Sequence, residues 1–216
     1  MATQTLTENA LLTRARASNS KEDCQTLYAE WADTYNADLA DASQDYVAPF
    51  LAAETALQNA TNVKGSILDA GCGTGLVGEA LARGGAVTID GLDLSPAMLR
   101  VARQTGVYRN LDIGDLTQPI EKPDDVYDVV TCAGTFTHGH VGPAPALREF
   151  LRVTKTNGII VATILEDIWL SGGFKAEVER LEVEHLVKVA SMELKDYRRG
   201  AGDKATFIVL KKIGSV

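Results

Sequence analysis

One glycine-rich stretch, residues 67–82, constrains the fold of this chain more than any other segment. It reads ILDAGCGTGLVGEALA, in which a short apolar run ends in Asp69 and glycines follow at Gly71, Gly73 and Gly75. Apolar residues then recur at helical spacing. Glycine lets a backbone turn sharply and approach a ligand closely, because it has no Cβ. The stretch therefore predicts a strand, a tight turn and a helix that together hold a nucleotide-like cofactor.

Two classes of cofactor fit this glycine pattern. Gly73, Gly75 and Gly78 match the G-x-G-x-x-G of dinucleotide-binding proteins. Asp69 and the glycines that follow it match the D-x-G-x-G-x-G of enzymes that use S-adenosylmethionine (SAM). Neither match decides alone, so the choice depends on the residues further along the chain.

The acids that accompany the predicted strands favour SAM. Asp69 suits a ligand that carries an ammonium group, whereas it would repel a pyrophosphate. Asp93 follows the next predicted strand, where a carboxylate can bind a ribose hydroxyl pair; this position indicates a ribose in either class. Asp115 follows a third strand-like run and can accept a hydrogen bond from an adenine amino group.

The chain resembles the class I SAM-dependent methyltransferases over residues 28–211. Its family motifs occur in the expected order, as DAGCGTG at 69–75, GLDLS at 91–95, GDL at 114–116, YDVV at 127–130 and LREFLRV at 147–153. An N-terminal aromatic cluster and THGHV at 137–141 resemble the Williams-Beuren-region methyltransferase-like branch. The resemblance implies a Rossmann-like, doubly wound α/β fold with seven strands, mostly parallel, and an antiparallel C-terminal strand.

The remaining pattern predicts one domain over residues 1–216, with an N-terminal helical lid at 1–62 and a cofactor-binding core at 63–216. Core strands are predicted at 66–70, 87–92, 107–111, 126–132 and 158–164, and loops at 118–125, 133–143 and 166–174. Two alternating segments, 184–190 and 205–210, have a polar link and no helix between them, which predicts an antiparallel hairpin. Such a hairpin weighs against a dinucleotide-binding sheet.

Aromatic residues mark the predicted lid. Leu27, Trp31 and Tyr35 recur at i, i+4 and i+8, which predicts one helix over residues 21–40 with an aromatic face. The resemblance implies that this face covers the methionine end of SAM, while burial in an ordinary core explains the same spacing. A second helix is predicted over 46–59.

The resemblance assigns a cofactor site that spreads over the lid and the carboxyl ends of the strands. Its residues are Tyr28, Trp31, Tyr35, Asp69, Gly71, Cys72, Gly73, Gly75, Asp93, Leu94, Met98, Gly114, Asp115, Leu116 and Cys132. We expect SAM to bind there and to leave as S-adenosylhomocysteine.

Methyl transfer needs an acceptor held in line and, if the acceptor carries a proton, a base that removes it. His138 and His140 lie in the predicted loop after the fourth strand, and histidine titrates near neutral pH. His140 matches the Gly-His-Val of the family best and is the preferred base, with His138 second; a structural role in the loop is the alternative. Candidates for the acceptor pocket, for which core or surface roles are equally open, are Phe136, Asp167, Trp169 and Phe174.

The composition narrows the classes of molecule that this chain is expected to bind. The 21 Lys and Arg against 29 Asp and Glu give a net charge of −8, without a basic stripe, which weighs against DNA or bulk RNA. Three dispersed cysteines suggest a reducing compartment, and no apolar run is long enough to span a membrane. No metal site is expected.

The sequence therefore predicts a cytoplasmic SAM-dependent methyltransferase that acts on a small-molecule acceptor, at oxygen first and then at sulfur or nitrogen. Two alternatives stay open at this point: a protein or RNA methyltransferase, and a SAM-binding module without activity.

Overall fold

The computed structural model describes residues 10–18, 20–138 and 141–214. A seven-stranded sheet forms the centre of the described chain. Its strands are β1 (Ser66–Ala70), β2 (Thr88–Asp93), β3 (Tyr108–Ile113), β4 (Tyr127–Phe136), β5 (Thr154–Leu165), β6 (Val187–Arg198) and β7 (Asp203–Lys212).

Helices cover both faces of this sheet. They are α1 (Ala10–Ala17), α2 (Lys21–Trp31), α3 (Tyr35–Ala40), α4 (Ala48–Asn59), α5 (Leu76–Arg83), α6 (Pro96–Gln104), α7 (Ala146–Val153), α8 (Glu166–Ser171) and α9 (Phe174–Val183). None of these helices combines the length and apolarity needed to cross a bilayer.

The sheet has the order β3-β2-β1-β4-β5-β7-β6. Strands β1 to β5 pair in parallel, and β7 lies between β5 and β6 and runs antiparallel to both. The predicted fold class is confirmed: a mostly parallel, Rossmann-like sheet with an antiparallel strand at its C-terminal side. The carboxyl ends of the parallel strands therefore share one edge, where ligands bind in such sheets.

Alternation along the strands builds two apolar layers. On β1, Ile67 belongs to the layer that contains α4 and α5, while Leu68 belongs to the layer that contains α7 and α9. Both side chains are buried. A central parallel strand is covered on both faces, so it reads as a continuous apolar run, and this is why the core strands were predictable.

The predicted aromatic helix over residues 21–40 is wrong in one respect, because the chain forms two helices, α2 and α3. Hydrogen bonds around the break stabilise the turn: Trp31 Nε1 donates to Asp38 Oδ2 at 2.7 Å, and Thr34 Oγ1 donates to the same oxygen at 3.1 Å. The rings still cluster, with the Trp31 and Tyr35 centroids 4.8 Å apart.

Three further predictions of loops or links are corrected. The loop after the fourth strand begins later, since β4 continues to Phe136. The predicted loop at 166–174 contains α8 and ends at Phe174, the first residue of α9. Gly172 and Gly173 suggested a loop, but they separate two helices, and Gly173 takes φ 79° at the start of α9. The predicted polar link at 193–203 is partly strand, because residues 193–198 belong to β6, an edge strand on which polar side chains reach solvent.

Lys212 joins the end of β7 to the start of β5. Its side chain is buried, and Nζ donates to Thr154 O and to Asp125 Oδ1, each at 2.8 Å. A buried ammonium needs such partners, because it has lost its water. The pair therefore stabilises the junction between the hairpin and the parallel sheet.

We predict that Lys212→Met lowers the free energy of unfolding by about 1.5–3 kcal/mol, because it removes hydrogen bonds made by a buried charged group. Urea unfolding followed by circular dichroism measures the change. Lys204→Met, on an exposed side chain of the same strand, is the control and is expected to change stability by less than about 0.5 kcal/mol. Equal unfolding midpoints for both variants would contradict the prediction.

Candidate active site

The turn after β1 lies closely against its neighbours. The N–H groups of Gly71 and Cys72 both donate to Leu92 O, at 2.7 and 3.0 Å, which holds the turn against β2. Gly71 has φ 74°, and a Cβ there would collide with the Thr135 hydroxyl. Glycine is therefore required at this position by both conformation and space.

Asp93 links the glycine turn to the next connection. It ends β2, and its carboxylate accepts from the Gly73 N–H and from the Ser95 N–H, each at 2.8 Å. Burial raises the pKa of this carboxyl group. Each carboxylate oxygen carries two lone pairs, so the two backbone bonds leave acceptor capacity for a hydroxyl-bearing ligand.

A cavity of about 300 Å³ opens at this edge of the sheet. It lies between the turns after β1, β2 and β3, the end of β4, and the helices α2 and α3. Of the residues predicted to bind the cofactor, those that line it are Tyr28, Tyr35, Gly71, Cys72, Gly73, Asp93, Leu94, Met98, Gly114, Asp115 and Leu116. Its size is at the lower end of the range for small-molecule sites, roughly 300–1,000 Å³.

Four of the predicted cofactor residues lie outside the lining of this cavity. Trp31 and Cys132 are buried, and Gly75, with φ 98°, precedes α5 and packs toward Tyr108. Asp69 is fully buried behind the turn. Asp69 supports the turn in this structure, and its contact with the cofactor's ammonium group stays a prediction.

Asp69 collects hydrogen bonds from several elements. It accepts from the Tyr108 hydroxyl of β3 at 2.7 Å and from the Thr131 hydroxyl of β4 at 3.3 Å, and the Gly78 N–H of α5 also bonds to it. Burial raises its pKa to about 7. A Cβ at Gly78 would collide with the Tyr108 hydroxyl, so this glycine leaves room for the buried bond and is explained without a dinucleotide.

Helices α2 and α3 are hydrogen-bonded to the cofactor turns. Gln25 Nε2 donates to Leu94 O at 3.3 Å, and Thr74 Oγ1 of the glycine turn donates to Asn36 Oδ1 at 2.5 Å. Neither Gln25 nor Asn36 was predicted from the sequence, because a polar residue on a helix surface gives no local signal of a distant partner.

A second, smaller recess of about 60 Å³ adjoins the first cavity. Both are lined by Tyr28, Tyr35, Tyr46 and Gly134. His138 also lines the recess, and its Nε2 lies 2.7 Å from Asp167 Oδ2. The preferred base of the sequence analysis, His140, lies outside the described residues.

The other predicted acceptor residues are placed differently. Phe136 and Phe174 are buried against each other, with ring centroids 4.8 Å apart, and Trp169 packs on the same apolar layer. None of the three lines either cavity. Phe136 and Phe174 thus belong to the core, because β4 and α9 direct them inward. Asp167 contacts His138 and is absent from the lining.

Comparison with known proteins identifies the family. Residues 67–158 match the family described as methyltransferase domain. Over 178 residues the chain is 35% identical to Methyltransferase-like protein 27 of Homo sapiens, a match that covers 78% of this chain and 71% of that protein. The chain belongs to the class I SAM-dependent methyltransferases. The resemblance seen in the sequence is confirmed, and SAM is the cofactor.

Two other similarities are more distant. Ubiquinone biosynthesis O-methyltransferase of Neisseria meningitidis is 28% identical over 150 residues, a match that spans 66% of this chain but only 57% of that enzyme. A TehB-like SAM-dependent methyltransferase from Corynebacterium glutamicum superposes with a TM-score of 0.63 at 23% identity, covering 88% of this chain and 100% of that one. This superposition supports the fold.

The residues at the larger cavity of this methyltransferase fit SAM. Asp93 offers a carboxylate with free lone pairs for ribose hydroxyls, and a Cβ at Gly73 would meet no atom within 4 Å, so the turn leaves space for a ligand. Asp115 lines the far side, after β3. Within the described ranges, no group of three or more His, Cys, Asp or Glu side chains could hold a metal ion.

We predict that Asp93→Ala weakens binding of S-adenosylhomocysteine by about 1.5–3 kcal/mol, because charge-assisted hydrogen bonds to the ligand and to the Gly73 turn are lost. Isothermal titration calorimetry measures the affinity. Asp112→Asn, on the outer strand β3 and paired with Lys122, is the control. Unchanged affinity in Asp93→Ala would overturn the ribose assignment.

We also predict a pH dependence that originates at Asp69. Its pKa is raised from 3.8 to about 7 in the folded chain. The unfolded chain therefore loses this proton at lower pH, and the contribution of Asp69 to stability falls as pH rises from about 4 to about 7, then stays constant. Asp69→Asn removes this dependence.

The test is urea unfolding of the wild type and Asp69→Asn at pH 5 and pH 8. Relative to the variant, the wild type is expected to lose about 2.5 kcal/mol of unfolding free energy between the two pH values. Asp112→Asn, which removes a half-exposed carboxylate, is expected to follow the wild type. Parallel pH profiles for the wild type and Asp69→Asn would contradict the assignment.

Proposed function

We propose that this methyltransferase transfers the methyl group of SAM to an oxygen of a small-molecule acceptor, with His138 as the base. When bound, SAM supplies a methyl group on a positively charged sulfur, so the protein must position the acceptor, exclude water and remove a proton. The observation that carries the proposal is the His138–Asp167 pair, which lies beside a recess that adjoins the cofactor cavity.

The pair is suited to proton removal. His138 Nε2 lies 2.7 Å from Asp167 Oδ2, and in the proposed arrangement Nε2 carries the imidazole hydrogen and donates it to that carboxylate. Nδ1 is then the basic nitrogen, and the carboxylate both orients the ring and stabilises the imidazolium that forms. We therefore prefer His138 as the base. The role of His140 stays a prediction from the sequence. Asp167 becomes a positioning residue instead of a wall of the acceptor pocket.

The dimensions of the recess favour a small acceptor. It is about 60 Å³ and is walled by aromatic side chains, those of Tyr28, Trp31, Tyr35, Tyr46 and Tyr197. A protein segment or an RNA strand needs a longer, more open groove, and RNA needs a basic surface that a chain of net charge −8 offers poorly. The similarity to an O-methyltransferase of ubiquinone biosynthesis supports oxygen as the first acceptor atom, before sulfur or nitrogen.

We propose that the N-terminal helices act as a lid over the cofactor and the acceptor. Helices α2 and α3 place Tyr28 and Tyr35 over both cavities, which supports a role of the N-terminal segment in shielding the reacting atoms from water.

A cytoplasmic location is supported by the free, buried thiols of Cys24, Cys72 and Cys132, since a reducing compartment keeps thiols unpaired.

The test is incubation with methyl-labelled SAM and a cell extract that is separated by size. We expect label in the small-molecule fraction, and we expect His138→Ala to lower its rate of appearance by about 10²–10⁴-fold, the usual contribution of a general base. Affinity for S-adenosylhomocysteine is expected to be unchanged. Asp167→Asn is expected to cause a smaller loss.

His185→Ala is the matched control, because His185 lies between α9 and β6 and lines neither cavity. Full activity of His138→Ala would return His138 to a structural role. Label in proteins or RNA would replace the small-molecule proposal, and absence of label from both fractions would favour a SAM-binding module without turnover.

A further inference from the structure

Arg198 is a buried cation with one unpaired nitrogen. The residue is 4% exposed. Its Nη1 donates to Gln44 Oε1 at 2.8 Å, and its Nη2 pairs with Asp203. Its Nε is the one buried side-chain nitrogen or oxygen of residues 10–18, 20–138 and 141–214 that has no hydrogen-bond partner. An unpaired buried donor costs about 1–3 kcal/mol, so this atom requires an explanation.

The position of Arg198 supplies an explanation for the unpaired Nε. It lines the 60 Å³ recess together with Tyr46, Tyr197 and Gly134. The Tyr46 hydroxyl donates to the Tyr197 hydroxyl at 3.3 Å, and a Cβ at Gly134, which has φ 84°, would collide with the Tyr46 hydroxyl. Burial raises the pKa of both phenols, so both stay protonated; Tyr46 uses its hydrogen in this bond, and the Tyr197 hydroxyl remains able to donate. This end of the recess therefore offers hydrogen-bond donors.

We propose that these four residues, Arg198, Tyr46, Tyr197 and Gly134, form a subsite that binds a proton-free oxygen of the acceptor, a carbonyl or a carboxylate, on a flat unsaturated molecule. The inference rests on the proposed transfer to a small-molecule acceptor. The unpaired Nε–H selects an oxygen with free lone pairs, and the surrounding rings select a flat body. We call this group the Arg198 subsite.

Size and charge define the ligand further. A cavity of about 150 Å³ holds benzene, so a recess of about 60 Å³ holds one polar end of a molecule. The flat body then lies toward the cofactor cavity, against the rings of Tyr28, Tyr35 and Tyr46 that line both spaces. Asp203 already opposes the guanidinium charge, so the subsite accepts a neutral carbonyl as well as a carboxylate.

The subsite also has the right neighbours for an acceptor. Tyr46 and Gly134 line both the recess and the cofactor cavity, so a ligand whose oxygen is bound at Arg198 can extend toward the cofactor. His138 lines the same recess. A purely structural arginine is an incomplete account, because the bonds to Gln44 and Asp203 use the two Nη atoms and leave Nε unexplained.

Nuclear magnetic resonance of ¹⁵N-labelled protein saturated with S-adenosylhomocysteine tests the subsite directly. The probes are benzoate, acetophenone and toluene, which share a ring and differ in the oxygen. We expect benzoate, acetophenone or both to shift the Arg198 Nε–H resonance, and toluene to leave it in place. A shift with benzoate alone indicates a carboxylate ligand, and a shift with acetophenone alone indicates a carbonyl ligand. No shift with either, or an equal shift with toluene, would overturn the subsite.

Matched variants check the assignment. Arg198→Lys keeps the charge opposite Asp203 but loses the Nε–H, and we expect it to weaken binding of the active probe by about tenfold. Arg199→Lys alters the neighbouring exposed arginine, which pairs with Asp45 and Asp196, and is expected to bind the probe like the wild type. Equal weakening in both variants would count against the subsite. If Arg198→Lys does not fold, the wild-type titration decides.

The two proposals fail separately. A shifted Nε–H resonance without label transfer to small molecules would reject the proposed function and keep the subsite as an oxygen-binding site. Label transfer to small molecules together with an unmoved Nε–H resonance would reject the subsite and keep the proposed function.

Discussion

A carboxylate buried at the end of the central strand holds the cofactor edge of the sheet together. Asp69 receives hydrogen bonds from the Tyr108 hydroxyl on β3, the Thr131 hydroxyl on β4 and the Gly78 N–H on α5. The donors come from elements on both sides of β1, so the bonds fix the direction in which the chain leaves that strand. The glycine turn, and through it Asp93, is positioned by an acid that lies outside the cofactor cavity.

The cofactor cavity and the recess beside it are built from different parts of the chain. The cofactor cavity is built largely from consecutive turns at the carboxyl ends of β1, β2 and β3, where backbone shape and a few acids suffice. The recess proposed for the acceptor is built from residues of α1, α2, α3, the segment around Tyr46, β4, β5 and β6, which are far apart in sequence. The match to the methyltransferase family over residues 67–158 therefore includes most of the residues that line the cofactor cavity and few of those that line the recess.

This difference also explains what the sequence predicted. The strands β1, β2 and β4, the turn with its glycines, and the antiparallel β7 follow from local apolar runs and turn residues, and the structure contains them. The break between α2 and α3 depends on a side-chain bond from Trp31 to Asp38, and the pairing of Thr74 with Asn36 joins residues 38 positions apart. Arg198 looked like an ordinary polar residue of a link, because its burial arises only when β6 closes against Gln44 and Asp203.

The hydrogen bond between Thr74 and Asn36 connects the walls of the two cavities. One partner lies in the turn that lines the cofactor cavity, and the other lies on α3, next to Tyr35, which lines both cavities. A displacement of α3 away from the sheet would break this bond and widen both cavities together. The cofactor cavity and the recess thus share one wall, and a single hydrogen bond between two side chains ties that wall to the glycine turn.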